Sequence, residues 1–121
     1  MTKTILIVDD FESSRSILGR TLENAGYKVM QGNDGEAALK ILDELSIDLV
    51  ITDLNMPGMD GISLIKNIRS REDYQFTPVL LLTTNSKNDK KELAKEAGAT
   101  AWIEKPFQVE ALLNNIRKMI R

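Results

Sequence analysis

The sequence predicts an α/β fold, a doubly wound sheet of five parallel strands with helices packed on both faces. Short apolar runs alternate with segments of helical periodicity five times over, the pattern of successive strand–helix units. Three of those runs, at 4–8, 48–52 and 78–83, are nearly continuous in apolar residues, as strands covered on both faces are. A chain of 121 residues, 42% apolar and 28% charged, suits one domain spanning 1–121. A domain of this size buries roughly two-thirds of its unfolded surface.

In chain order, Thr4–Val8 is the first strand. Ser13–Ala25 follows as a helix with Ile17, Leu18, Leu22 and Ala25 on one side and Gly26 closing its end. Lys28–Gln31 is the second strand, and Asp34 is placed to cap a helix over Gly35–Leu45 that buries Ala38, Ile41, Leu42 and Leu45. Asp48–Thr52 is the third strand. Asp60 caps Gly61–Ser70, whose inward residues are Gly61, Leu64, Ile65 and Ile68. A short loop near Arg71–Thr77 leads to the fourth strand, Pro78–Thr83. Lys87–Ala97 is polar apart from Leu93, Ala94 and Ala97, and Gly98 ends it. Ala101–Ile103 is the fifth strand, and Gln108–Ile120 carries the stripe Val109, Leu112, Leu113, Ile116 and Ile120. Crossovers are expected to be right-handed.

Composition excludes several chemistries. The chain has no cysteine and no histidine, so disulfides, thiolate nucleophiles and imidazole bases or ligands are ruled out. Net charge is −2, and the densest basic stretch, Lys87 to Lys95, is interrupted by Asp89 and Glu92, which argues against a nucleic-acid surface. No apolar run approaches the roughly 20 residues of a membrane span, and "MTKT" lacks a signal-peptide pattern, so a cytoplasmic location without membrane insertion is expected.

Ligands of open α/β sheets bind beyond the carboxyl ends of the strands. Asp9 and Asp10 follow the first strand, Asp53 follows the third, Thr83 ends the fourth, and Lys105 follows the fifth. Three carboxylates roughly 5 Å apart repel by about 3 kcal/mol per pair at an effective dielectric near 20. Lys105 alone does not offset that. The donor set is all oxygen, which points to a hard divalent cation, Mg²⁺, with Asp9 and Asp10 as its holders. A carboxylate beside Mg²⁺, a hydroxyl and a lysine suits phosphoryl transfer, with Asp53 as nucleophile. No phosphate-binding glycine motif of the G-x-x-x-x-G-K-[ST] or G-x-G-x-x-G kind is present.

The segments "ILIVDD", "DLVITDLNMPGMDG", "LLLTT" and "EKPF", in this order, resemble the receiver domain of two-component response regulators along nearly the whole chain. The resemblance implies the flavodoxin-like (CheY-like) strand order 2-1-3-4-5. It implies that Asp53 accepts a phosphoryl group from a sensor histidine kinase. Asp10, Asp53 and the main-chain carbonyl of Asn55 are then the direct Mg²⁺ ligands, with Asp9 acting through water. Thr83 matches the switch hydroxyl, Lys105 the phosphate-pairing lysine, and the Lys105–Pro106 bond is expected to be cis. Trp102 stands where receivers carry a tyrosine or phenylalanine switch residue; as a structural residue it would be an edge-strand hydrophobe only. Asn55 and Asn85 occupy the positions that tune phosphate lifetime and recognition by a phosphatase.

Length, "FTPVLLLTT" and "GATAWIEKPF" look most like stand-alone chemotaxis regulators of the CheY type. Such a regulator is phosphorylated by a CheA-type kinase and acts on the flagellar motor switch through the helix 4–strand 5–helix 5 face. The chain ends close to its last predicted helix, so no DNA-binding domain is expected, and the unphosphorylated protein is expected to be a monomer. It would not be an enzyme beyond its own phosphorylation and dephosphorylation. A stand-alone phosphorelay receiver or regulator of a non-motility target is the alternative. A haloacid dehalogenase-like phosphatase, with its nucleophile in a D-x-D after strand 1, fits the D-D-F found here poorly. A purely structural interaction module would have no affinity for Mg²⁺.

Overall fold

The structure, a computed structural model, describes residues 2–84 and 87–120. The elements are β1 (Thr4–Val8), α1 (Glu12–Asn24), β2 (Lys28–Gly32), α2 (Gly35–Glu44), β3 (Leu49–Thr52), α3 (Gly61–Arg69), β4 (Val79–Thr83), α4 (Asn88–Ala97), β5 (Ala101–Glu104) and α5 (Val109–Met119). All five strands are parallel, in the order β2-β1-β3-β4-β5. The chain moves from β1 outward to β2, then returns past β1 and builds β3, β4 and β5 on the other side. That reversal opens a crevice at the carboxyl ends of β1 and β3.

Strand alternation sorts the core into two layers. Ile5, Ile7, Leu49, Ile51, Leu80 and Leu82 pack against Leu18 and Leu22 of α1 and Leu112 and Ile116 of α5. Leu6, Val8, Val50, Val79 and Leu81 face the other way, against α2, α3 and Ala94 of α4. This is why the central strands read as unbroken apolar runs.

Predicted and observed boundaries agree to within about a residue. Asp34 caps α2 by accepting the Ala37 N–H at 2.8 Å, and Asp60 caps α3 through the Ser63 N–H at 2.8 Å. Gly98 closes α4 in the left-handed region at φ 110°. Three predicted stripes are narrower than expected. Ile17 is 65% exposed: it lies about 100° round α1 from Leu18, on the side away from Leu22 and Gly19. Ala25 is also exposed, being the C-cap where the chain leaves α1 and turns toward β2. Val109 and Leu45 are also exposed, and each stands at a helix end, Val109 as the first residue of α5 and Leu45 as the C-cap of α2.

The predicted loop contains a 3₁₀ turn at Glu72–Tyr74. Tyr74 is buried and donates its hydroxyl to the carbonyls of Leu42 (3.1 Å) and Leu45 (2.7 Å). Arg69 anchors the same end of the sheet. Its guanidinium donates to the carbonyls of Tyr74 (3.0 Å), Thr77 (2.6 Å) and Gly98 (2.8 Å), and burial holds its pKa below the usual value.

Candidate functional site

The three aspartates expected to meet do meet. One carboxylate oxygen from each of Asp9, Asp10 and Asp53 lies within 4.8 Å of the others, at the crevice between β1 and β3. The register explains this: Val8 pairs with Thr52, so the residues that follow each strand emerge side by side. The Asp53 N–H donates to the Val8 carbonyl at 3.0 Å and the Asp9 N–H to the Gly32 carbonyl at 3.2 Å, so both backbones are fixed by the sheet.

Asp9 is buried and fully engaged. Its Oδ1 accepts the Phe11 N–H at 3.0 Å, its Oδ2 accepts Lys105 Nζ at 3.1 Å, and its carbonyl accepts Arg15 Nη1 at 2.6 Å. Asp10 differs: its Oδ1 is buried with no hydrogen-bond partner among the described residues. Asp53 is half-buried. Its Oδ1 accepts the Leu54 N–H at 2.7 Å, and the Thr83 hydroxyl also hydrogen-bonds to it. Burial pushes the Asp53 carboxyl above the usual carboxylate range. Asp9 pushes the same way, against the Leu54 N–H, Lys105 and Thr83.

Thr83, at the end of β4, is completely buried. Lys105 reaches the cluster from the turn after β5, where the Lys105–Pro106 bond is cis as expected. Asn55 is exposed in the turn after β3. Asn85 lies outside the described residues. Trp102 is half-buried on β5 and packs on the α2–α4 core layer, with Lys91 Nζ 5.9 Å from its ring centroid. Lys91 also pairs with Glu104 at 3.3 Å, joining α4 to β5.

Two neighbours of the site gave no sequence signal. Arg15 is one turn into α1, where a lone arginine reads as a solvated helix residue. By sequence Gly61 is only an inward helix residue, yet a Cβ there would stand 2.4 Å from the carbonyl oxygen of Asp53. Helix α3 can approach β3 this closely only with glycine at that position.

The residues fit a hard divalent cation. Three carboxylates converge, the donors are all oxygen, and one buried oxygen of Asp10 is unpartnered.

A parallel sheet in this order with an acid cluster at its switch point defines the class, and the chain belongs to the response regulator receiver domain family, whose model matches residues 5–117. It is similar to stand-alone CheY-type proteins. The chemotaxis protein CheY-3 of Vibrio cholerae is 40% identical over 116 residues, covering 95% of this chain and 89% of that protein. The chemotaxis protein CheY of Pseudomonas aeruginosa is 38% identical, covering 95% and 94%. The solved structure of chemotaxis protein CheY4 from Vibrio cholerae superposes with a TM-score of 0.94 at 39% identity, covering 98% of this chain and 99% of that one.

Proposed function

We propose that this chain is a phosphorylation-activated signalling switch, a single receiver domain whose phosphoacceptor is Asp53. The convergence of three carboxylates within 4.8 Å, with Thr83 and Lys105 at the same crevice, carries the reading. Asp10, Asp53 and the Asn55 carbonyl would hold Mg²⁺, with Asp9 supporting it through water. The bound ion would supply charge neutralisation for the phosphoryl oxygens.

The chain's own residues then act as follows. An Asp53 carboxylate oxygen attacks the phosphorus of a phosphohistidine on the kinase. A P–O bond forms, the P–N bond breaks, and the electron pair leaves on the imidazole nitrogen, which takes up a proton. Lys105 transfers its ammonium from Asp9 to a phosphoryl oxygen, and the Thr83 hydroxyl donates to another. Movement of Thr83 frees space toward which Trp102 turns, changing the α4–β5–α5 face that meets the partner protein. Asn55 and Asn85 set how readily water reaches the phosphoryl group.

The chemotaxis relatives favour a CheA-type kinase as donor and the flagellar motor switch as target, in a cytoplasmic and, before phosphorylation, monomeric protein. Acetyl phosphate with Mg²⁺ should add one phosphoryl mass per chain and shift Trp102 emission. Asp53→Asn should abolish both. Undiminished labelling of that variant refutes the reading, and repeated turnover of phosphate esters would make the chain a phosphatase. Unchanged swimming in a deletion strain would replace the motor by a relay or another target.

A further inference from the structure

We infer that Arg15 is the positioning residue for Asp10, setting the direction of the metal-side carboxylate through the main chain of Asp9. The inference rests on the Mg²⁺ site proposed above. Every polar atom of Asp9 has a partner: its N–H is on Gly32, Oδ1 on Phe11, Oδ2 on Lys105 and its carbonyl oxygen on Arg15. The last bond is short, 2.6 Å, and charge-assisted. It is also the one that acts on the Asp9–Asp10 peptide plane itself. A peptide is rigid and planar, so fixing its carbonyl fixes the N and Cα of Asp10, the base from which that side chain leaves.

Two cations thus grip Asp9 on separate groups, Lys105 on the carboxylate and Arg15 on the carbonyl. Among the described residues neither hydrogen-bonds to Asp10, whose Oδ1 stays buried and unpartnered. Arg15 is itself held in place. Its own N–H donates to the Phe11 carbonyl at 3.1 Å, in the first turn of α1, and the guanidinium reaches back to the Asp9 carbonyl. The guanidinium Nε is buried with no partner among the described residues, so the side chain accepts an unmet donor in order to keep the Asp9 bond. A merely solvated helix arginine would not.

Two roles for this cation predict opposite signs. If Arg15 acts only as a nearby positive charge, removing it should tighten Mg²⁺ binding. If it positions Asp10, removing it should weaken binding, by the roughly 10–100-fold that loss of a partner behind a metal ligand costs. Calorimetric titration with Mg²⁺ is compared for wild type, Arg15→Met, Arg15→Lys and Arg20→Met. Arg20, exposed on the same helix, is the charge control. The expected result is at least about tenfold weaker binding for Arg15→Met, partial recovery in Arg15→Lys, and no weakening in Arg20→Met. All are measured at a temperature where urea titration shows each variant fully folded, so lost stability cannot mimic the effect. Should Arg15→Met not fold, Arg15→Gln takes its place with the same expectation. Unchanged or tighter binding in that variant overturns the inference. Absence of Mg²⁺ binding by the wild type would overturn the metal site itself.

Discussion

Asp53 is costly to ionise in the metal-free fold, so Asp53→Asn should stabilise the protein without Mg²⁺ and destabilise it, relative to wild type, with Mg²⁺. The repulsion can be bounded from the structure. Charges 4.8 Å apart, the limit set by the cluster, interact by about 3.5 kcal/mol at an effective dielectric of 20. Burial adds the larger part of the cost, and the Leu54 N–H, Lys105 and the Thr83 hydroxyl offset part of it, so a net penalty remains. The sign follows from the raised pKa of Asp53. The folded state keeps its proton where the unfolded chain has already lost it. Stability therefore falls as pH rises from the unfolded value of 3.8 through the folded pKa, and the full penalty remains above it. Below 3.8 wild type and variant should converge. Metal reverses the order at neutral pH: at about 100 times its dissociation constant, Mg²⁺ stabilises the wild type by about 2.7 kcal/mol, and the variant gains far less. Urea unfolding followed by Trp102 emission, at pH 7 with chelator, at pH 7 with Mg²⁺ and at pH 3.5, measures all three. A variant less stable than wild type in chelator, or equal stabilisation of both by Mg²⁺, refutes the reasoning.

Thr83→Ala should retain phosphorylation by acetyl phosphate but lose most of the Trp102 emission change, since the buried hydroxyl on Asp53 is the proposed link between them; a full emission change separates Trp102 from that link. Gly61→Ala forces α3 off the Asp53 carbonyl, so stability should drop by about 1–3 kcal/mol, and labelling should slow even when the protein is fully folded, which Gly35→Ala, whose Cβ meets Met59 side-chain atoms first rather than the Asp53 main chain, should not reproduce. Arg69→Leu removes the donors of three partly buried carbonyl contacts and should cost about 2–4 kcal/mol in urea unfolding.

The fold was legible because its signals are local. Asp34 and Asp60 cap where a carboxylate precedes helical periodicity, and β3 and β4 read as buried because both faces are covered. The site acids were legible for a related reason: a strand end fixes where a residue emerges, whatever its side chain does. What did not show was anything that depends on reach across the fold. Ile17 has the right residue type and a helical context, but its exposure is decided by which side of α1 meets the sheet. Arg15 and Arg69 act through long side chains on carbonyls, which carry no residue-type signature. The closeness of Gly61 to Asp53 is a property of how α3 seats on β3, and that seating is not written in spacing.

The distribution of cations within the site is what makes it responsive. Positive charge is concentrated on Asp9, through Lys105 on its carboxylate and Arg15 on its carbonyl. Asp10 keeps a buried oxygen unpartnered, and Asp53 has an ionisation that burial opposes. A site with one lysine shared evenly among three acids would be more stable and would gain little from a ligand. Here the undercompensated pair is the one the proposed metal and phosphoryl group would engage. Thr83 and Lys105 already have resting partners, Asp53 and Asp9, so engaging the phosphoryl group means exchanging those bonds rather than adding new ones. An exchange of bonds has two discrete arrangements, and a signal needs two arrangements to choose between.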